Sequence, residues 1–215
     1  NTYTEYHLNI VRNLALFTSI ALENALMYQN VEQKVKERTA QVVKQKEEIE
    51  LTYENVKLLS EIGQQITSCL SVEKIIETAY ENINHLMDAS VFWIGIYNQQ
   101  KNRLDFPGAL EKNKKLPFFS IDLDDDRKLS TWCFNNQKSV FLNDVQNGFR
   151  KYLPHLSSYG AVVGEMVSSI IYLPLISKNN TQSGVITVQS FRTNAYTEYH
   201  QNILKSLVVF VNIAL

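Results

Sequence analysis

Thr4 is followed by apolar residues at three-to-four spacing (Leu8, Val11, Leu14, Leu16, Ile20), and Thr197 opens the same pattern near the other end of the chain. Each threonine reads as the N-cap of an amphipathic helix, because a side-chain oxygen there satisfies an otherwise free backbone N–H. The two stretches are copies. Tyr3-Thr4-Glu5-Tyr6-His7 reappears as Tyr196-Thr197-Glu198-Tyr199-His200, and the match continues through Asn9/Asn202, Ile10/Ile203, Leu14/Leu207, Phe17/Phe210 and Ile20-Ala21-Leu22/Ile213-Ala214-Leu215, at a constant offset of 193 residues. A repeat at that spacing predicts that one structural unit ends at residue 22 and a second at residue 215, with a connector and one complete domain between them. It also predicts that the chain is a piece of a longer tandem array.

All seven glycines and all four prolines fall at or beyond Gly63, so nothing in the first 62 residues forces a helix to break. From Tyr28 the apolar positions adopt a seven-residue step: Tyr28, Val35, Val42, Ile49 and Val56 occupy one seam site. The second site, three residues on, holds Val31, Arg38, Gln45, Thr52, Leu59 and Ile66, apolar at its ends and polar in its middle. Charges of both signs surround it (Glu32, Lys34, Lys36, Glu37, Lys44, Lys46, Glu47, Glu48). A solvated helix carrying a loose coiled-coil seam is the expected outcome. Left unpaired, the first repeat copy would leave a large apolar patch in water, which favours a parallel homodimer joined along these helices. A helix from about residue 4 to about residue 69 would be roughly 100 Å long at a rise of ~1.5 Å per residue.

The pattern then shortens. Ser71 reads as the N-cap of a second helix with Val72, Ile75, Ile76, Ala79, Ile83 and Leu86 on its apolar face. Residues 91–97, 103–108 and 118–123 read as antiparallel strands in a meander, with 98–102 and 111–116 between them. A helix bearing Leu129, Trp132 and Cys133 precedes strands at 140–142, 169–176 and 184–191, the last two joined by a turn at Lys178-Asn179-Asn180-Thr181. Helices at both ends with a sheet between them predict an α+β domain with helices on both faces. The domain boundaries read as a long helix over 1–55 and one domain over 56–215.

Composition narrows the function. Apolar residues at 45%, aromatics at 11% and charged residues at 20% describe a globular chain with a real core. A net charge of −1 offers no basic field for phosphate backbones, so nucleic acid is not expected as a partner. Cys69 and Cys133 form neither a metal cluster nor a disulfide framework, which fits a reducing, cytoplasmic setting. The longest apolar runs, such as 206–215, are shorter than a membrane span, so no direct membrane contact is expected. Asp122, Asp124, Asp125 and Asp126 lack the glycine and distal Glu of a calcium loop and are expected to cap the helix that begins near Arg127.

Thr131-Trp132-Cys133-Phe134 through Val140-Phe141-Leu142-Asn143-Asp144-Val145 resembles the helix-strand signature of GAF domains, ligand-sensing modules of phosphodiesterases, phytochromes and bacterial sensors. Residues 167–176 and 184–188 resemble the next two strands, and Tyr196-Thr197-Glu198 the start of the closing helix, so the resemblance covers residues 56–215 in order. It implies a GAF-like antiparallel sheet flanked by helices, preceded by a long N-terminal signalling helix, with the first repeat copy as the closing helix of an upstream GAF domain. Residues 35–42 also resemble the linker helices of bacterial sensor kinases. In such domains a small molecule lies between one sheet face and the helices and loops after the third and fourth strands. Alternation places Val91, Trp93, Gly95 and Tyr97 on that face and Phe92, Ile94 and Ile96 on the other. Gly95 would leave a dent between two aromatics able to stack on a flat ligand, or both aromatics simply fill core. The resemblance adds Asp126, Trp132, Tyr152, His155 and Ser169 as pocket candidates. The ligand's identity, and any cofactor, stay open.

The Asn-Lys-…-Phe-…-Asp-Glu pattern of cyclic-nucleotide-binding members is not recognisable. Trp93-Ile94-Gly95-Ile96-Tyr97 resembles the first strand of GAF enzymes that reduce free methionine sulfoxide, but Cys69 and Cys133 do not match their attacking and resolving thiols. Cys133 reads as a small buried hydrophobe, and the bilin-attachment pattern lacks its Asp two residues before the Cys. The favoured reading is a non-catalytic sensory module that binds a small molecule or partner and signals through a dimeric coiled coil to an output domain of histidine kinase or cyclase type. A sulfoxide reductase and a domain serving only dimerisation are the alternatives.

Overall fold

A computed structural model describes residues 4–177 and 182–215, the side chain of Leu51 excepted. Tyr3 and the expected turn at 178–181 lie outside the described residues. The chain divides into two units, one ending at Val56 and the other spanning Lys57–Leu215.

Among its described residues the first unit is helix from Glu5 onward. Helix α1 (Glu5–Thr67) runs without interruption, as expected of a stretch free of glycine and proline until Gly63. Thr18, Thr39 and Thr52 donate their hydroxyls to the carbonyls of Leu14, Val35 and Glu48, one turn back. Tyr28, Val31, Val35, Val42, Ile49 and Val56 are all exposed. The seam differs from expectation at its C-terminal end. Leu59 is half-buried and Ile66 fully buried, both in the core of the second unit, so the exposed heptad run ends at Val56 and α1 then turns to domain packing. By length and composition α1 also contains one stretch apolar enough to cross a membrane, which run lengths alone did not predict.

In the second unit, α2 (Val72–Leu86) starts as expected: the Ser71 side chain accepts the Lys74 N–H. Eight strands follow in one antiparallel sheet, β1 (Val91–Asn98), β2 (Arg103–Phe106), β3 (Leu110–Glu111), β4 (Lys114–Lys115), β5 (Phe119–Asp122), β6 (Val140–Leu142), β7 (Ser169–Ile176) and β8 (Gln182–Ser190). Their order is β4-β3-β1-β8-β7-β6, with β2 continuing the free side of β1 beyond β3 and β5 pairing with β2. The β3–β4 hairpin replaces the loop expected over 111–116. Lys112 and Asn113, at φ 48° and 63°, form a two-residue turn of the kind whose twist matches paired strands.

Short helices α3 (Leu129–Asn136) and α4 (Val145–Gly148) interrupt the second half, and α5 (Glu198–Ala214) closes the chain. The aspartates at 122–126 do not cap α3. Its N-cap is Lys128, with no side-chain bond, while Asp125 grips the Arg127 backbone and guanidinium instead.

Strand alternation divides the apolar residues between two cores. On one face, Phe92, Ile94, Ile171, Leu173, Ile186 and Val188 meet Ile62 and Ile66 of α1, Ile75, Ile76 and Ile83 of α2, and Leu204, Leu207 and Val211 of α5. On the other, Val91, Trp93, Ile170, Tyr172 and Val185 meet Leu129, Cys133 and Phe134 of α3, with Val145, Phe149, Tyr159 and Val167 around them. Helices cover both faces of the sheet, as the sequence predicts.

Candidate ligand site

The second core holds the first candidates. Val91, Trp93 and Tyr97 of β1 belong to it, and Phe92, Ile94 and Ile96 to the other core, which is the division that alternation predicts. Trp93 is 2% exposed, edge-on to Phe106 and Phe119 at ring-centroid distances of 5.9 and 5.2 Å. Phe106 and Phe119 stack on each other at 4.6 Å. Gly95 leaves no dent. A Cβ there would sit 2.6 Å from the Phe106 ring, so the glycine exists to admit that ring from β2. Tyr97 packs on Phe134 at 4.8 Å.

Trp132 lies edge-on to Tyr152 at 4.7 Å, and the Tyr152 hydroxyl accepts the Phe141 N–H at 3.2 Å. His155 and Asp126 face each other at 3.6 Å, both exposed. Ser169 departs furthest from its expected role. Its hydroxyl donates its one proton to the Arg192 carbonyl at 2.7 Å, with the Asn143 carbonyl a second acceptor at 3.1 Å, and accepts the Ala195 N–H (3.2 Å). In β7 it alternates with Ile171 and Leu173, away from the Trp93 face. Ser169 ties the start of β7 to the connection before α5.

The most buried polar groups on the Trp93 face come from positions the sequence reading passed over. Thr187 of β8 pairs in register with Trp93 on one side and Tyr172 on the other, and Gln189 donates to the Tyr172 hydroxyl at 3.3 Å. From α3, Ser130 and Thr131 are buried on the helix that also buries Leu129 and Cys133. The Trp93 indole nitrogen and the Ser130 and Thr131 hydroxyls are buried without a hydrogen-bond partner. Unpaired buried polar atoms cost about 1–3 kcal/mol each, which marks them as places where a ligand's polar atoms are favourable. Finding Tyr172 and Thr187 from sequence required the β1–β8–β7 register, which no local pattern encodes.

No residue that is buried as a whole among the described residues is charged, but Glu111, paired in register with Val91, buries one carboxylate oxygen without a partner. Burial pushes the Cys133 thiol well above its ordinary value, and burial, with Tyr159 and Cys133 nearby, does the same for the Tyr172 phenol. Cys133 is therefore a thiol, not a thiolate. Cys69 packs against the opposite core, its thiol donating to the Gln65 carbonyl at 3.3 Å. The two sulfurs thus belong to opposite faces of one sheet. Among the described residues there is no cluster of His, Cys, Asp or Glu that could hold a metal ion.

No curated protein sequence matches the chain significantly. Among solved structures, the GAF domain of an Acinetobacter phosphoenolpyruvate-protein phosphotransferase is similar at 18% identity and a TM-score of 0.61, covering 74% of this chain and 92% of that one. A methyl-accepting chemotaxis protein, residues 122 to 287, is similar at 16% identity and 0.59, covering 71% and 93%. The free methionine-R-sulfoxide reductase from Neisseria meningitidis, in complex with its substrate, is similar at 12% identity and 0.56, covering 74% and 89%. These likenesses establish the shared fold. A family model described as GAF domain matches residues 69–215, which contain the sheet, helices α2 to α5 and the aromatic site. With that match added to its architecture, the chain belongs to the GAF domain family.

Proposed function

We propose that residues 57–215 are a non-catalytic sensory module that takes up a small, flat, uncharged molecule beside Trp93, and that the exposed helix before them joins two copies and passes the change to an output domain. The observation that carries this reading is the set of buried, unpartnered neutral groups, the Trp93 indole N–H and the Ser130 and Thr131 hydroxyls. Aromatic edges from Trp93 and Tyr97 suit a planar ligand, and the hydroxyls and indole suit its carbonyl or amide groups.

The placement of the two cysteines argues against turnover of methionine sulfoxide. Reduction needs a thiolate with a second thiol in reach. Cys133 is held as a thiol, and Cys69 packs on the other side of the sheet. Native mass spectrometry of the purified chain is expected to show an uncharged small molecule retained by the parent and lost from Ser130→Val. A Cys69→Ser or Cys133→Ser change that abolished thiol-dependent reduction of free methionine sulfoxide by the parent would replace this reading with the enzymatic one.

A further inference from the structure

Residues 5–22 carry a surface whose occupant the second copy of the same sequence identifies. Aligned at the 193-residue offset, 13 of 22 positions are identical between 1–22 and 194–215. The likeness extends to backbone capping. His7 Nδ1 accepts the Thr4 N–H at 3.2 Å, and His200 Nδ1 accepts the Thr197 N–H at 3.0 Å. In α5 the face made by Ile203, Leu204, Leu207 and Val211 is buried on β7 and α2. The matching Ile10, Val11, Leu14 and Thr18 are exposed, with Leu14 at 60% where Leu207 is at 0%.

The outward strip is reproduced as well. Val209 and Ile213 are exposed in α5 just as Leu16 and Ile20 are in α1. Phe210 turns its ring toward Gly63, where any Cβ would stand 2.4 Å from it, and its counterpart Phe17 lies 68% exposed. A helix that repeats cap, inward face, outward strip and the Phe side chain repeats the demands of one kind of partner.

We infer that Ile10, Val11, Leu14 and Thr18 form the docking face for the sheet of a preceding domain of the same family in the same polypeptide, with Phe17 seated against a small residue of that domain's opening helix. A bilayer is a poorer occupant, because Arg12 sits between Val11 and Leu14, and its counterpart Lys205 is exposed in α5. A second copy of this chain is a poorer one too, since its equivalent sheet face is already covered by α5.

The test replaces residues 198–215 of the 215-residue chain with the sequence of 5–22. The exchanged chain is expected to unfold in one cooperative transition, its midpoint lowered by on the order of 10 °C through the smaller Val, Ala and Thr that replace Leu204, Val208 and Val211. Loss of the transition would overturn the inference. If the exchange precipitates, Leu204→Val with Val208→Ala and Val211→Thr decides, because it carries the first copy's core-facing residues alone: a retained transition supports the docking face and a lost one overturns it. Leu14→Asp in the parent chain separates the occupants. Sedimentation is expected to be unchanged, and dissociation of an oligomer would make a second copy the occupant. Pelleting of the parent with phosphatidylcholine and phosphatidylglycerol vesicles, abolished by Leu14→Asp, would make it a membrane. Either result overturns the proposal.

Discussion

Gly95 and Asp88 show how single residues hold this domain in register. Gly95→Ala would force a methyl group into the Phe106 ring at 2.6 Å, and the ring is wedged between Trp93 and Phe119. The expected cost is about 1–3 kcal/mol in denaturant unfolding, partly recovered by adding Phe106→Leu, which gives the methyl room. Asp88 ties the end of α2 to the end of β8. Its carboxylate accepts the Ser90 hydroxyl and N–H, the Ser190 hydroxyl at 2.7 Å and the Arg192 guanidinium at 2.9 and 3.0 Å. Burial raises its pKa, but these donors together outweigh burial and hold the carboxyl below its ordinary value. A depressed pKa contributes stability above the unfolded-state value, near 4, that is lost as pH falls through the folded-state value. Asp88→Asn is therefore expected to cost about 2 kcal/mol at pH 7, with the gap to the parent closing below about pH 4 in urea titrations. Alternation in β1 was legible in the sequence because it needs only neighbours two residues apart. The filling of Gly95 by Phe106, and the turning of Ser169 to backbone groups, depend on strands brought together from afar, and no local spacing records them.

At the scale of elements, the sequence speaks most clearly where glycine and proline are absent or where a cap stands alone. Helix α1 and the Ser71 and Thr197 starts follow from those signals. The β3–β4 hairpin was hidden because Lys112 carries no turn preference, and its neighbour Asn113 is held by the Tyr80 hydroxyl from α2, a tertiary bond. The seam needed a similar correction, since the heptad step runs on into Leu59 and Ile66 after the helix has begun to serve the domain core. The exposed heptad run that the proposed dimer would pair is therefore Tyr28 to Val56. Val42→Asp with Ile49→Asp would place unpaired charges at its middle, and a parallel dimer there is expected to fall to monomer at micromolar concentration by sedimentation. The thermal transition of residues 57–215 is expected to stay within a few degrees of the parent's, because neither residue touches its core. A dimer that survived both charges would assign association to another surface.

For the molecule as a whole, the question is how a change beside Trp93 would reach the exposed helix. The sheet offers one route: Trp93 and Tyr172 look into the core proposed to take the ligand, while their strand neighbours Phe92, Ile94, Ile171 and Leu173 look into the core that receives Ile62 and Ile66 of α1. Those residues continue without a helix break into Val56 and the heptad run. Cores transmit small displacements because they are close-packed. A ligand can shift such a system only by its differential affinity for two arrangements, so the proposed helix pair would need two of similar energy. The seam supplies a reason for that: Arg38, Gln45 and Thr52 leave its middle loose between apolar positions on the other site. Replacing Gln45→Leu and Thr52→Leu fills the middle with apolar side chains and is expected to tighten the dimer by at least about tenfold, ~1.4 kcal/mol, while favouring one arrangement. Joined to its output domain, the doubly substituted protein is expected to retain small molecule in native mass spectrometry as the parent does, yet to give an output that no longer changes with occupancy. A response of normal amplitude would reduce the helix to a spacer and place transmission elsewhere in the protein.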